Sequence, residues 1–178
     1  MKTDARVKYT KAAIKEVFLG LLQKKPIDKI TVTELCERAG INRATFYSHY
    51  NDCYDLLRSM EDEFLEQFRN SGAADIWCKP ENLSNAIYDT IADHIDMCDV
   101  LMFNPKNPRL LIRMMDIVRE CSSGRWREIM PELTAAEQEM LFDYVAGGLT
   151  AIIYSEFKTK SREEIIGFMV RCISRSLS

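Results

Sequence analysis

The stretch from Thr31 to Tyr50 constrains the fold of this chain more than any other. Thr31 followed by Glu34 has the form of a capping box, in which a hydroxyl and a carboxylate satisfy the orphan N–H groups at a helix start. Val32, Leu35, Cys36 and Ala39 then recur at the spacing of one buried helical face, and Gly40 suits the left-handed position just past a helix end. Asn42 can cap another short helix, from Arg43 to about His49. Two short helices joined by the turn Ala39, Gly40, Ile41, Asn42 have the form of a helix-turn-helix.

Helical spacing continues on both sides. Ile14, Val17, Phe18, Leu21 and Leu22 form a stripe that predicts an amphipathic helix over residues 5–24, ended by Pro26. Asp52 can cap a further helix, whose Leu56, Leu57, Met60, Phe64 and Phe68 share a face. Beyond a weak break at Asn70–Ala73, helices are expected over 82–99, 107–121, 134–158 and 162–177, with a Pro-punctuated loop at 104–108 and an ambiguous stretch at 123–131. The chain has only 7 Gly and 5 Pro, no internal repeat, and apolar residues at helical rather than alternating spacing. The expected fold is all-α: an N-terminal three-helix domain at 1–50 carrying the helix-turn-helix, a linking helix at 51–70, and a helical domain at 71–178.

The net charge of -3 argues against a nucleic-acid partner until it is divided along the chain. Residues 1–50 hold ten Lys/Arg against five Asp/Glu (10 − 5 = +5), leaving 14 against 22 (14 − 22 = -8) for residues 51–178. Counterion release on binding DNA needs a local basic patch, which the first third supplies. In the second short helix Arg43, Thr45, Tyr47, Ser48 and His49 offer donors beside the small or apolar Ala44, Phe46 and Tyr50, a composition suited to a major groove. A solvated surface helix on a bundle has the same composition, so the stretch is weighed as a whole.

As a whole, "ITVTELCERAGINRATFYSHYNDCYDLL", preceded by a basic helix, resembles the DNA-binding domain of the tetracycline-repressor (TetR) family over residues 10–60. The resemblance implies phosphate contacts from Thr31 and Thr33, base contacts from Arg43, Ala44 and Thr45, and backbone contacts from Tyr47 and His49, with Ile41, Phe46 and Tyr50 in the core. One departure stands out. Where the family often has lysines at the start of the fourth helix, this chain has Asn51 and Cys53. The Asn51 side chain and the free N–H groups of that helix end are then the remaining donors for a phosphate. Lys29 and an arm with Lys2, Arg6 and Lys8 can add to the grip, the arm either entering the minor groove or forming a disordered tail.

The resemblance further implies a homodimer on a palindromic double-stranded operator, by default a repressor, with a small-molecule effector in the C-terminal domain. For the dimer surface the residues are Leu141, Val145, Gly148, Leu149, Ile152 and Ile153 on one helix and Ile166, Met169, Val170 and Ile173 on the next, with Gly147 beside Gly148 to permit close approach. An intramolecular core uses the same stripes. For an adaptable ligand cavity the residues are Trp77, Tyr88, Met97, Met102, Phe103, Met114, Met115 and Trp126, each of which core packing also explains.

No apolar run reaches the roughly 18 residues of a membrane span, and no signal peptide is recognisable, so a cytoplasmic chain without a membrane partner is expected. The six cysteines, 36, 53, 78, 98, 121 and 172, lack metal-site spacing, so neither a metal nor a cofactor is expected. His94, beside Asp93 and Asp96, has no recognisable nucleophile partner, and no Gly-rich phosphate loop is present, so an enzyme is not expected. The competing class is a helical adaptor that binds a protein partner with weak or lost DNA binding.

Overall fold

The computed structural model describes residues 2–71, 79–103 and 109–176, with residues 2–4, 122, 123, 125 and 126 placed along the backbone only. All regular structure among these residues is helical: α1 (Lys2–Leu22), α2 (Val32–Ala39), α3 (Arg43–Tyr47), α4 (Cys53–Ser71), α5 (Pro80–Asp93), α6 (Ile95–Leu101), α7 (Arg109–Ile129), α8 (Ala135–Glu156) and α9 (Arg162–Ser176), plus a 3-10 turn at Ile27–Lys29. The chain forms two compact units, Met1–Phe64 and Leu65–Ser178, which divide within α4.

In the first unit α1 packs on α2 and α2 on α3. The stripe predicted on α1 delivers Ile14, Phe18 and Leu21 to the core, where they join Leu35 and Cys36 of α2, Phe46 of α3, and Leu56, Met60 and Phe64 of α4. α1 differs from expectation at both ends. It starts at Lys2, so Arg6 and Lys8 lie on a helix, and it stops at Leu22 rather than running on to Lys24. The N–H groups of Lys24 and Lys25 turn back to the Leu21 carbonyl, and Pro26 disfavours helical backbone in the residue before it.

The second unit packs α5 on α9, α7 on α8 and α8 on α9. Leu83, Ile87, Ile91, Leu110, Met114, Phe142, Leu149, Ile153, Ile165, Met169 and Ile173 are all buried. Two expectations are corrected here. The single helix expected over 82–99 is two, broken at His94, whose ψ of 31° leaves the helical region. Buried Ile91, Cys98 and Met102 remain in helical phase across the break, so the apolar periodicity reads as continuous. The ambiguous stretch after residue 121 is helical to Ile129. α8 and α9 run Ala135–Glu156 and Arg162–Ser176, close to the ranges expected.

Candidate nucleic-acid interface

Gly40 closes α2 at φ 65° and ψ 31°, the left-handed conformation open to glycine at low cost, and its N–H returns to the α2 carbonyls. The Ile41 N–H bonds the Cys36 carbonyl, completing the reversal into α3. Asn42 then caps α3 through its Oδ1, which accepts the Thr45 N–H at 2.7 Å. Phe46 and Tyr50 point inward, and Tyr47 stands edge-on to Phe46 with its own ring 55% exposed. One face of this five-residue helix is therefore anchored and the other is presented to solvent.

On the outward side Arg43, Ala44, Tyr47 and Ser48 are exposed, and Thr45 and His49 are half-buried. Thr31 is exposed at the N-cap of α2 and Thr33 is half-buried one residue into it. The capping box expected at Thr31 forms by half. The Thr31 hydroxyl accepts the Glu34 N–H at 3.2 Å, but the Glu34 carboxylate pairs with Lys25 and Arg38 instead of returning to the backbone. The Lys25 ammonium holds the Glu34 carboxyl below the usual carboxylate range. Lys25, Arg38 and Lys15, which pairs with Glu63, thus spend part of the basic surplus on the fold. Arg6, Lys8, Lys11, Lys24 and Arg43 make no ion pair among the described residues.

The start of α4 is held in part by carboxylates of its own first turn. Asp52 Oδ1 takes the Asp55 N–H at 2.7 Å, while the backbone N–H and side-chain amide of Asn51 both donate to Asp55 Oδ2, at 2.9 and 3.0 Å. The Asn51 N–H, foremost, holds the Asp55 carboxyl below its usual range. Asp52 and Asp55 place two carboxylates at this helix end, so a phosphate placed there meets negative charge, and Asn51 keeps one amide proton to offer it. Behind it, burial pushes the Tyr50 hydroxyl up to about 12, with Glu63 and Asp55 adding to the shift.

The described residues expected to line a ligand cavity are buried or half-buried in the second unit. Met97, Met102 and Met114 are buried in the second unit, and Met115 is half-buried. Tyr88 and Phe103 both stack on Phe157, at ring separations of 4.6 and 5.8 Å, flanked by Arg162 and Lys158. Trp77 and the Trp126 side chain lie outside the described residues.

The expected dimer residues divide. Val145, Leu149, Ile153, Met169 and Ile173 are buried within the unit, whereas Leu141, Ile152, Ile166 and Val170 are half-buried and Gly148 is exposed. Exposed apolar side chains missing from that set, Met140 (64%) and Tyr144 (74%) on α8 and Phe168 on α9, lie among them. A groove of about 310 Å³ between α8 and α9 is lined by Tyr144, Gly148, Ile152, Cys172 and Arg175 among others. Beyond its chain neighbours and its own helix backbone, a Cβ built on Gly147 or Gly148 meets nothing within 4 Å among the described residues.

Cys36, Cys53 and Cys98 are buried, and burial pushes each thiol upward, Cys98 to about 12. Cys78 lies outside the described residues. His94 sits at the α5–α6 break with its Nε2 against Gln67 Oε1. No helix among the described residues is long and apolar enough to cross a membrane.

Residues 19–60 match the profile of bacterial regulatory proteins of the tetR family. An uncharacterized HTH-type transcriptional regulator of Bacillus subtilis (strain 168), YxbF, is 38% identical over 58 residues, a stretch that spans 32% of this chain and 15% of that relative. The fold is similar to that of the dihydroxyacetone kinase operon activator DhaS, with a TM-score of 0.63 and 18% identity over 93% of this chain and 95% of the other. It is also similar to a TetR transcriptional regulator from Streptococcus agalactiae 2603V, with a TM-score of 0.69 and 22% identity over 97% and 98% of the two chains. At those identities the structural likeness speaks for the fold: all-helical, with an N-terminal helix-turn-helix unit and a C-terminal helical one. The matched segment is the one whose geometry is built around Gly40 and Asn42, and on that ground residues 19–60 form a helix-turn-helix unit similar to that of tetR-family regulatory proteins.

Proposed function

We propose that this regulator binds duplex DNA as a homodimer, laying α3 of each copy in a major groove, and that it acts as a repressor released by a small molecule held in the C-terminal unit. The observation that carries the reading is the presentation of α3. Its apolar side is locked by Phe46 and Tyr50, while Arg43, Ala44 and Tyr47 stand exposed beside Thr45, with no ion pair drawing Arg43 away among the described residues. Thr31, Thr33, His49 and Asn51 serve as backbone contacts in this reading, helped by Lys29 and the basic side of α1. One α3 reads only a few base pairs, so two copies on a palindrome supply the specificity. The exposed apolar strip of α8 and α9, with room beside Gly147 and Gly148 for a close approach, supports a second copy as the dimer partner.

Half-sites one helical turn apart are separated by about 34 to 36 Å, so a small change in the spacing of two α3 helices loses register. A ligand releases the operator only through its different affinity for the bound and released states. Selection of duplexes from a random pool by the full chain tests DNA binding and symmetry together. A recovered palindrome supports the reading, and recovery of no sequence defeats it.

A second reading, a helical adaptor with weak or lost DNA binding, is favoured by one observation. Asp52 and Asp55 occupy the end of α4 where a phosphate would otherwise be held. A mobility shift that is absent, or insensitive to salt, supports the adaptor, because phosphate neutralisation makes true DNA binding steeply salt-dependent.

A further inference from the structure

We infer that Asn42 sets the hydrogen-bond polarity of α3, so that Thr45 reads an exocyclic amino group, on adenine or cytosine, and cannot hold a phosphate. The inference rests on the DNA-binding reading and deepens it.

The orientation of the Asn42 amide is fixed by its cap. A backbone N–H needs an acceptor, so the atom 2.7 Å from the Thr45 N is the amide oxygen and not the nitrogen. The same oxygen lies 3.0 Å from Thr45 Oγ1. An amide oxygen has no proton, so the Thr45 hydroxyl is the donor in that second bond. A hydroxyl has one proton, and what remains at Oγ1 is lone pairs alone.

Ser48 repeats the arrangement one turn on, because its Oγ lies 2.7 Å from the Thr45 carbonyl oxygen and must also donate. Residues three apart on a helix are neighbours on its surface. The hydroxyls of Thr45 and Ser48 therefore face outward as acceptors, next to Arg43, which can only donate.

Phosphate oxygens accept only, so neither hydroxyl, held in this way, can bond one. Within the major groove the donors are the N6 amino group of adenine and the N4 amino group of cytosine. Thr31 has the opposite polarity. Its hydroxyl accepts the Glu34 N–H, which leaves its proton for a phosphate. Two threonines of one motif are thus assigned to different parts of the DNA by the bonds each makes within the chain. Arg43 takes the acceptor-rich edge of guanine, and Thr45 takes the amino edge of a neighbouring base.

The test uses duplexes recovered from the random pool, resynthesised with one adenine at a time replaced by purine and one cytosine at a time by 2-pyrimidinone, each lacking the amino group. At one position of each half-site the deletion should weaken wild-type binding about 3- to 10-fold, the range of a single net hydrogen bond. Thr45→Val, which keeps the shape and loses the acceptor, should bind the intact and deleted duplexes equally. Asn42→Ala should flatten the same dependence and Asn42→Asp should retain it. Loss of the cap alone lowers affinity for every duplex alike and does not imitate this pattern. Equal wild-type binding to all deleted duplexes, or equal sensitivity in Thr45→Val, overturns the inference while DNA binding stands; an unchanged dependence in Asn42→Ala removes Asn42 from it; recovery of no sequence from the pool overturns both.

Discussion

Gly40 and Arg43 show how much rests on single residues in the turn and the helix after it. Gly40 has a positive φ with open space where a Cβ would stand, so Gly40→Ala meets conformational strain and no clash. A left-handed conformation costs an L-residue about 1 to 2 kcal/mol, and denaturant melts of the variant should lose that amount. Gly40→Asn should lose less, since asparagine tolerates this region better. At Arg43 the expected effect is on specificity. Arg43→Ala should cost about 1 to 3 kcal/mol on the selected site if the guanidinium reads a guanine, with a smaller loss on random DNA. Equal losses in gel shifts on both would assign Arg43 to phosphate. The reversal at Gly40 and the cap at Asn42 were legible in the sequence because each follows from a local requirement of a helix end. The fate of Glu34 was legible only in part, because Arg38 stands four residues on along α2 whereas Lys25 reaches the carboxylate only once the turn after α1 is brought against α2.

At the level of elements, three helix starts share one device. Thr134 and Glu137 form a complete capping box at α8, and Ser161 and Glu164 exchange the same two bonds at α9. At α4 Asp55 takes the N–H of Asn51 while Asp52 caps Asp55. Each acceptor carboxyl is held below its usual range, Glu137 first by the Thr134 hydroxyl, Glu164 first by the Ser161 N–H and Asp55 first by the Asn51 N–H. A carboxylate lowered in this way adds stability above its unfolded pKa and loses it as pH falls through the folded value. Thermal midpoints should therefore drop as pH is taken from about 6 to about 3, across the ordinary carboxylate range. Glu137→Gln, which keeps an acceptor that does not titrate, should show a shallower drop. An identical pH dependence would mean that this cap contributes nothing to it.

For the whole molecule, the exposed apolar strip of α8 and α9 is the feature that an isolated chain leaves unexplained. Tyr144 at 74% and Met140 at 64% exposure are far outside what burial in the second unit accounts for. Tyr144→Glu should convert a dimer to a monomer in sedimentation velocity, keep its helical circular dichroism, and lose affinity for a palindromic duplex. Retention of the wild-type mass would move the interface elsewhere. The sequence alone determined the all-helical class, the position of the helix-turn-helix and the inward set of its core, because helix periodicity, caps and a left-handed glycine are properties of neighbours along the chain. Tertiary structure decided which outward donors remain free. Lys15 is spent on Glu63 and Lys25 on Glu34, and the α8 and α9 stripes are shared between an inner core and an outer strip. Such choices depend on which groups compete for the same proton or the same apolar contact in space, and periodicity carries no record of that competition.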